Sequence, residues 1–265
     1  MFYVEHILRR TLSLLLSLAL VAGCSPRPGV RELVVGMDLS YPPFETIDPD
    51  GKPVGISVEI ARALAADLER PLRIENIPFV GLIPSLQNGR IDCIISSMTN
   101  TPEREEAIAF SDPYLSIGLG VLISSKTDLI GSADMDDARR TVVVRQGTTG
   151  EVWAKSHLKQ AKLLSVEKEN SAVLEVIQGK ADAFIYDQMS VWQNWRKNSQ
   201  TTRAILTPLQ KESWAIGVRK NDELRLKINE FLKKYRESGG FEKLGDEFLR
   251  EQKEAFRKEN IPFYF

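Results

Sequence analysis

Cysteine and histidine are scarce in this chain of 265 residues, which has two of each: Cys24 and Cys93, His6 and His157. With so few, and no metal-ligand spacing, the sequence argues against a Ser-His-Asp triad, a Cys-His nucleophile pair and a multi-histidine zinc site. No metal and no cofactor is expected. An excess of one charge sign is also missing. Lys plus Arg number 35 against 36 for Asp plus Glu, a formal charge of −1, without the basic excess of a nucleic-acid protein. Gly118-Leu-Gly120 lacks the third glycine and the following helix of a dinucleotide loop, so it reads as plain strand backbone. Long apolar runs are absent as well. The longest, Thr11 to Ala22, falls short of the ~20 residues that span a bilayer. What is present is ordinary globular material, 43% apolar and 27% charged, enough for a sizeable core in two domains or one large one.

The N-terminal run reads as a secretory signal, because Arg9 and Arg10 precede it and Val21-Ala22-Gly23-Cys24 ends it. That ending resembles a bacterial lipobox, in which the cysteine is lipidated and the peptide is cut before it. Cys24 is then a membrane anchor, residues 1–23 leave, and residues 24–32 form a tether. Export leaves 33 basic against 35 acidic residues and a single thiol, Cys93, expected to be a buried small hydrophobe.

From Leu33 onward, strand-like and helix-like segments alternate, as in α/β domains with largely parallel sheets. Strands are expected at Leu33–Gly36, Arg73–Ile77, Ile91–Ser96, Thr141–Val144, Lys162–Val166, Ala181–Tyr186 and Trp214–Val218. Helices are expected from Ser57, as a cap, and at Leu82–Gln87, Glu151–Leu158, Ser171–Gln178, Leu224–Tyr235 and from Phe241. Two stretches repeat one scheme. Leu86-Gln-Asn-Gly-Arg-Ile-Asp92 and Val176-Ile-Gln-Gly-Lys-Ala-Asp182 each run from helix through glycine and Asp into an apolar strand, which suggests two similar lobes. The charged segment 250–265 reads as a solvated face or tail.

The polar chemistry is that of recognition. Thr101-Pro102-Glu103-Arg104 reads as a helix start, with Thr101 as N-cap and Pro102 in the first turn. Arg104 then sits against the positive end of the helix dipole, a conflict an anion would relieve. The amides of Ser96-Ser97-Met-Thr99 and a forked guanidinium together suit a carboxylate, although pairing of Arg104 with Glu105 or Glu106 is the plainer alternative. Gln146-Gly-Thr148-Thr149-Gly150, between a strand and a helix, offers amides and a threonine cap, or simply a turn. Asp187 lies at a strand end, where α/β sheets present ligand groups and where Asp also caps helices.

Tyr41-Pro-Pro-Phe44, Phe79-x-x-Leu-Ile-Pro-Ser-Leu-Gln-Asn-Gly-Arg-Ile-Asp92, Ile95-Ser-Ser-Met-Thr-Asn-Thr-Pro-Glu-Arg104, Phe110-Ser-Asp-Pro-Tyr114 and Gln146-Gly-Thr-Thr149 occur in this order. Together they resemble the family 3 extracellular solute-binding proteins of polar amino-acid ABC transporters, over about residues 33–249. Gly55-Ile-Ser-Val-Glu59 departs from the family's Asp-rich pattern, and Arg145 stands where Gln or an apolar residue is common.

The resemblance implies a two-lobed periplasmic binding protein fold of type II. Residues 33–115 and 214–249 would form lobe 1 and residues 120–210 lobe 2, joined by crossover strands near 116–119 and 210–213. It implies a monomer that binds an amino acid between the lobes and delivers it to a permease. Arg104, with the Thr99 and Thr149 amides, would hold the α-carboxylate. Asp187, Ser97 and Thr99 would hold the ammonium, and Ser96 and Thr148 belong to the same two loops. Tyr41 and Phe79 would flank the side chain, with Asp38 and Arg145 at its tip. That opposed pair favours a neutral, glutamine-like ligand over arginine or lysine. The alternative on the same fold is a cyclohexadienyl dehydratase-like enzyme.

Overall fold

The computed structural model describes residues 29, 31–258 and 261. The signal segment and Cys24 therefore lie outside the described residues. No helix among those described is long and apolar enough to cross a membrane.

A nine-stranded mixed sheet carries the fold, in the order β4-β1-β5-β11-β6-β9-β7-β8, with β10 also paired to β6. Its first half holds β1 (Leu33–Met37), β4 (Leu72–Asn76) and β5 (Cys93–Ile94), all parallel. The second holds β7 (Thr141–Arg145), β8 (Lys162–Val166) and β9 (Ala183–Asp187), again parallel. In both halves the first strand lies between the second and the third, the simplest outcome of right-handed βαβ crossovers. β2 (Thr46–Ile47) and β3 (Pro53–Val54) form a separate hairpin. The repeat seen in the sequence recurs in atomic detail. Asp92 accepts from Val34 N and its own N donates to Val34 O; Asp182 does the same with Thr141.

Two long antiparallel strands join the halves. The 16-residue β6 (Ala109–Ser124) pairs with β11 (Lys211–Val218) over residues up to Gly118, then with β9 from Leu119 onward. β10 (Thr202–Ile205) pairs with its far end. Nearly every residue of β6 beyond Pro113 is buried; it pairs with β11 up to Gly118, and over residues 121–123 both of its edges are paired, by β9 and β10.

Helices cover the faces. α1 (Ile56–Asp67) buries Ile56, Ile60, Ala61 and Leu64. The expected Ser57 cap does not form; the N-cap is Gly55, at φ 118°, where a Cβ would meet the Phe44 carbonyl oxygen at 2.5 Å. Ser57 is instead turned inward to a carboxylate described below. α2 is Leu82–Gln87, α3 Pro102–Ala107, α4 Thr149–His157, α5 Glu169–Gln178 and α6 Gln188–Lys197. α7 (Leu224–Glu237) and α8 (Gly240–Phe248) return to the first half, and α7 buries Ile228, Phe231 and Leu232. Each such side chain contributes about 1.5–3 kcal/mol.

Of the charged segment expected as a solvated face or tail, residues 250–258 are a docked helix with a solvated outer face. Arg250–Lys258 forms α9, and Phe256 is 1% exposed. Its ring meets Trp192 of α6 edge-on, with centroids 6.4 Å apart. One apolar residue per helical face suffices to dock the segment, and its charges point outward.

Candidate functional site

The parallel strands of both halves direct their carboxyl ends toward one cavity. Asp38 follows β1, the loop Ser96–Thr99 follows β5, Arg145 ends β7 and Asp187 ends β9. All the ligand-contacting residues expected from the sequence line this cavity of about 40 Å³: Asp38, Tyr41, Phe79, Ser96, Ser97, Thr99, Arg104, Arg145, Thr148, Thr149 and Asp187. Glu45, Leu119, Tyr186, Glu212 and Trp214 line it too. Sequence reasoning missed these. Tyr186 and Glu212 had a signal, since one precedes Asp187 and the other lies in the second crossover; nothing in the sequence marked Glu45.

Arg104 is held as its helix start requires. Thr101 Oγ1 accepts from Arg104 N at 3.3 Å and Pro102 opens α3. The guanidinium does not pair with Glu105 or Glu106. Nη1 donates to Thr99 O at 2.6 Å and Nη2 to Gly147 O at 3.0 Å, so one side chain touches both halves. Burial pulls its pKa down, and Glu212 and Glu103 oppose that. Gly147 is at φ 73°, and a Cβ there would lie 2.8 Å from Val80 of the first half, so no other residue fits this approach. Thr148 does not cap α4 through its side chain; its hydroxyl donates back to Arg145 O at 2.7 Å. The strand expected over Ile91–Ser96 stops at Ile94. Ser97 takes a left-handed φ of 49°, which turns the chain into the cavity.

Asp187 is both a cap and a cavity group. Its Oδ1 accepts from Met189 N and Ser190 N at 3.0 Å and from Tyr41 OH at 2.7 Å. Burial pushes its pKa up to about 7 against those donors. Glu45, buried, accepts from Ser57 Oγ at 2.6 Å, Ser97 Oγ at 3.0 Å and Ser96 Oγ at 3.3 Å. It faces no cation among those donors, and burial lifts its pKa to about 8.

Asp38 and Arg145, the opposed pair expected at the side-chain tip, meet each other across the cleft. Arg145 Nη2 bonds Asp38 Oδ2 directly. Arg145 Nη1 reaches Tyr186 OH and Nε reaches Glu167 O, both at 3.0 Å, while Asp38 also accepts from Phe79 N and Ser40 Oγ. Burial lowers the Arg145 pKa, but Tyr186 and Asp38 outweigh it and hold it raised. Phe79 packs against both guanidinium groups, 5.4 Å from Arg104 and 5.7 Å from Arg145. Tyr41 stacks on Phe44 at 5.3 Å and meets Trp214 and Tyr186 edge-on.

Around these opposed sheet halves and their cleft, one family model aligns with residues 33–251. The chain belongs to the bacterial extracellular solute-binding proteins, family 3. Among curated relatives of this family 3 protein, the L-cystine-binding protein TcyJ of Escherichia coli K12 is 26% identical over 259 residues, covering 93% of this chain and 97% of its own. Two solved structures share its two-lobed fold. An ancestral arginine-binding protein bound to glutamine has TM-score 0.76 and 30% identity, with 82% of this chain and 97% of that one covered. An ancestral amino acid-binding protein, a precursor of cyclohexadienyl dehydratase, has TM-score 0.75 and 33% identity, covering 82% and 94%.

Proposed function

We propose that this protein captures a polar amino acid between its two lobes and hands it to an ABC transporter permease, held at the membrane by lipid on Cys24. The observation that carries the reading is the pairing, in one cavity, of Arg104 with Asp187: one cation and one anion for the two charged ends of an α-amino acid. Arg104 with Thr99 and Thr149 takes the carboxylate; Asp187 with Ser97 and Thr99 takes the ammonium; Tyr41 and Phe79 flank the side chain. Lobe 1 comprises residues 33–115 and 214–249 and lobe 2 residues 120–210, closing about β6 and β11. The Asp38–Arg145 pair leaves the tip neutral overall, which favours a neutral, glutamine-like side chain over a basic one. Solved relatives are bound to glutamine, to arginine and to lysine, so that order rests on the Asp38–Arg145 pair alone. Mass spectrometry of small molecules released on denaturing the purified protein, followed by calorimetry with the amino acid found, tests this. Absence of binding across the common amino acids and L-cystine overturns it.

The second reading is a dehydratase acting on prephenate or arogenate. It draws on the dehydratase precursor among the structural neighbours and on Glu45, a buried carboxyl whose pKa is lifted to about 8 and which could therefore act as a general acid. Such enzymes place a Glu where this chain has Asp187, so binding is preferred. Incubation with prephenate is expected to yield no phenylpyruvate.

A further inference from the structure

Glu212 lies in the second crossover strand, β11, and is 6% exposed. Its Oε2 accepts from Thr99 Oγ1 at 3.0 Å and its Oε1 from Gln210 Nε2 at 3.4 Å; the Thr149 hydroxyl and the Arg104 charge also favour its anionic form. Thr99, Thr149 and Arg104 are the residues assigned above to the ligand carboxylate, although Glu212 uses the threonine hydroxyls where the ligand would use the amides, and it acts on Arg104 through charge alone. The protein thus carries its own carboxylate where a second one is to arrive. Glu212 also borders an outer cavity of about 910 Å³, which shares Thr99, Arg104 and Thr149 with the buried one.

We infer that Glu212 is an internal competitor for the carboxylate subsite, and that an amino acid binds only as Glu212 takes up a proton. This rests on the amino-acid-binding reading. Two carboxylates gathered about one guanidinium and the same two threonines repel each other, so both stay ionised only at a cost, and Glu212, already buried, takes up the proton. Burial already raises the Glu212 pKa, and an arriving carboxylate raises it further. The charged groups that act on it from other elements are Arg104 on α3 and Asp187 at the end of β9, while Glu103 and its own neighbour Lys211 border the outer cavity with it. Binding then consumes a proton at high pH, and affinity weakens as pH rises, by at most about tenfold per unit. Asp187 acts in the opposite sense, since it must be ionised to hold the ammonium. A comparison with Glu212→Gln cancels that contribution.

The test is calorimetry with L-glutamine, or with whichever common L-amino acid or L-cystine gives the largest thermal shift, on the wild type and Glu212→Gln, from about pH 5.5 to about pH 8.5. The expected result is that the variant binds more tightly and that the wild-type to variant ratio of Kd grows roughly tenfold or more across the range. On the wild type alone, titration in buffers of different ionisation enthalpy is expected to show proton uptake at the alkaline end, a readout that holds even if the variant folds poorly. A ratio independent of pH together with no proton uptake overturns the role of Glu212 and leaves the binding reading intact. No binding by either protein at any pH overturns the binding reading, and this inference with it.

Discussion

Arg104 concentrates the chemistry of the cleft in one side chain, and three expectations follow at this scale. Arg104→Ala should lose ligand affinity by roughly 30-fold to several thousand-fold, the equivalent of about 2–5 kcal/mol, with an unchanged circular dichroism spectrum. A surface arginine would show almost no change. For the tip, a thermal-shift screen of the common amino acids should show stabilisation by glutamine or asparagine above arginine or lysine, because a basic side chain must break the Asp38–Arg145 pair to gain a partner. Strong stabilisation by arginine alone would mean that Asp38 exchanges partners freely. Glu45 bears on stability. Its pKa moves from the ordinary 4.5 to about 8, so the folded state keeps a proton that the unfolded chain has released. The stability it contributes is full below about pH 4 and is lost as pH rises through about 8. The thermal midpoint of the ligand-free wild type should fall relative to Glu45→Gln between about pH 5 and about pH 8.5, and parallel curves would show that Glu45 does not titrate there.

Among elements, those with strong local signals are legible in the residues themselves. α2 and β8 run as expected, because a glycine turn and an apolar run mark their ends. The failures have physical causes. β5 is cut to two residues since Ser96 and Ser97 bond Glu45 rather than a neighbouring strand. Ser57 looked like a cap and became another donor to the same carboxylate, a contact across twelve residues of chain. α9 reads as a solvated face or tail because its composition is almost wholly charged, and Phe256 meeting Trp192, with Ala255 also packed on the core, docks it. Phe256→Ala should therefore destabilise the protein by about 3–5 kcal/mol in urea unfolding while leaving ligand affinity within a few-fold. A change below about 0.5 kcal/mol would mean that the helix is not docked in solution.

For the whole molecule, attachment and closure are separable. Cys24→Ser should move the exported protein from the membrane to the soluble fraction without altering ligand affinity, because no described helix could anchor it. Membrane retention of that variant would end the lipid-anchor proposal. The sequence by itself determined the architecture: alternating periodicities specify strands and helices, the doubled helix-glycine-Asp-strand unit specifies two similar halves, and ordered motifs place the cleft residues at strand ends. These are local properties, written in adjacent residues. Only the tertiary structure decided which charges meet. Asp38 and Arg145, 107 positions apart, form one pair, and Glu212 comes to share Thr99 across 113 positions. Such contacts follow from how β6 and β11 align the two halves, and a side chain's long-range partner leaves no trace in its neighbours along the chain.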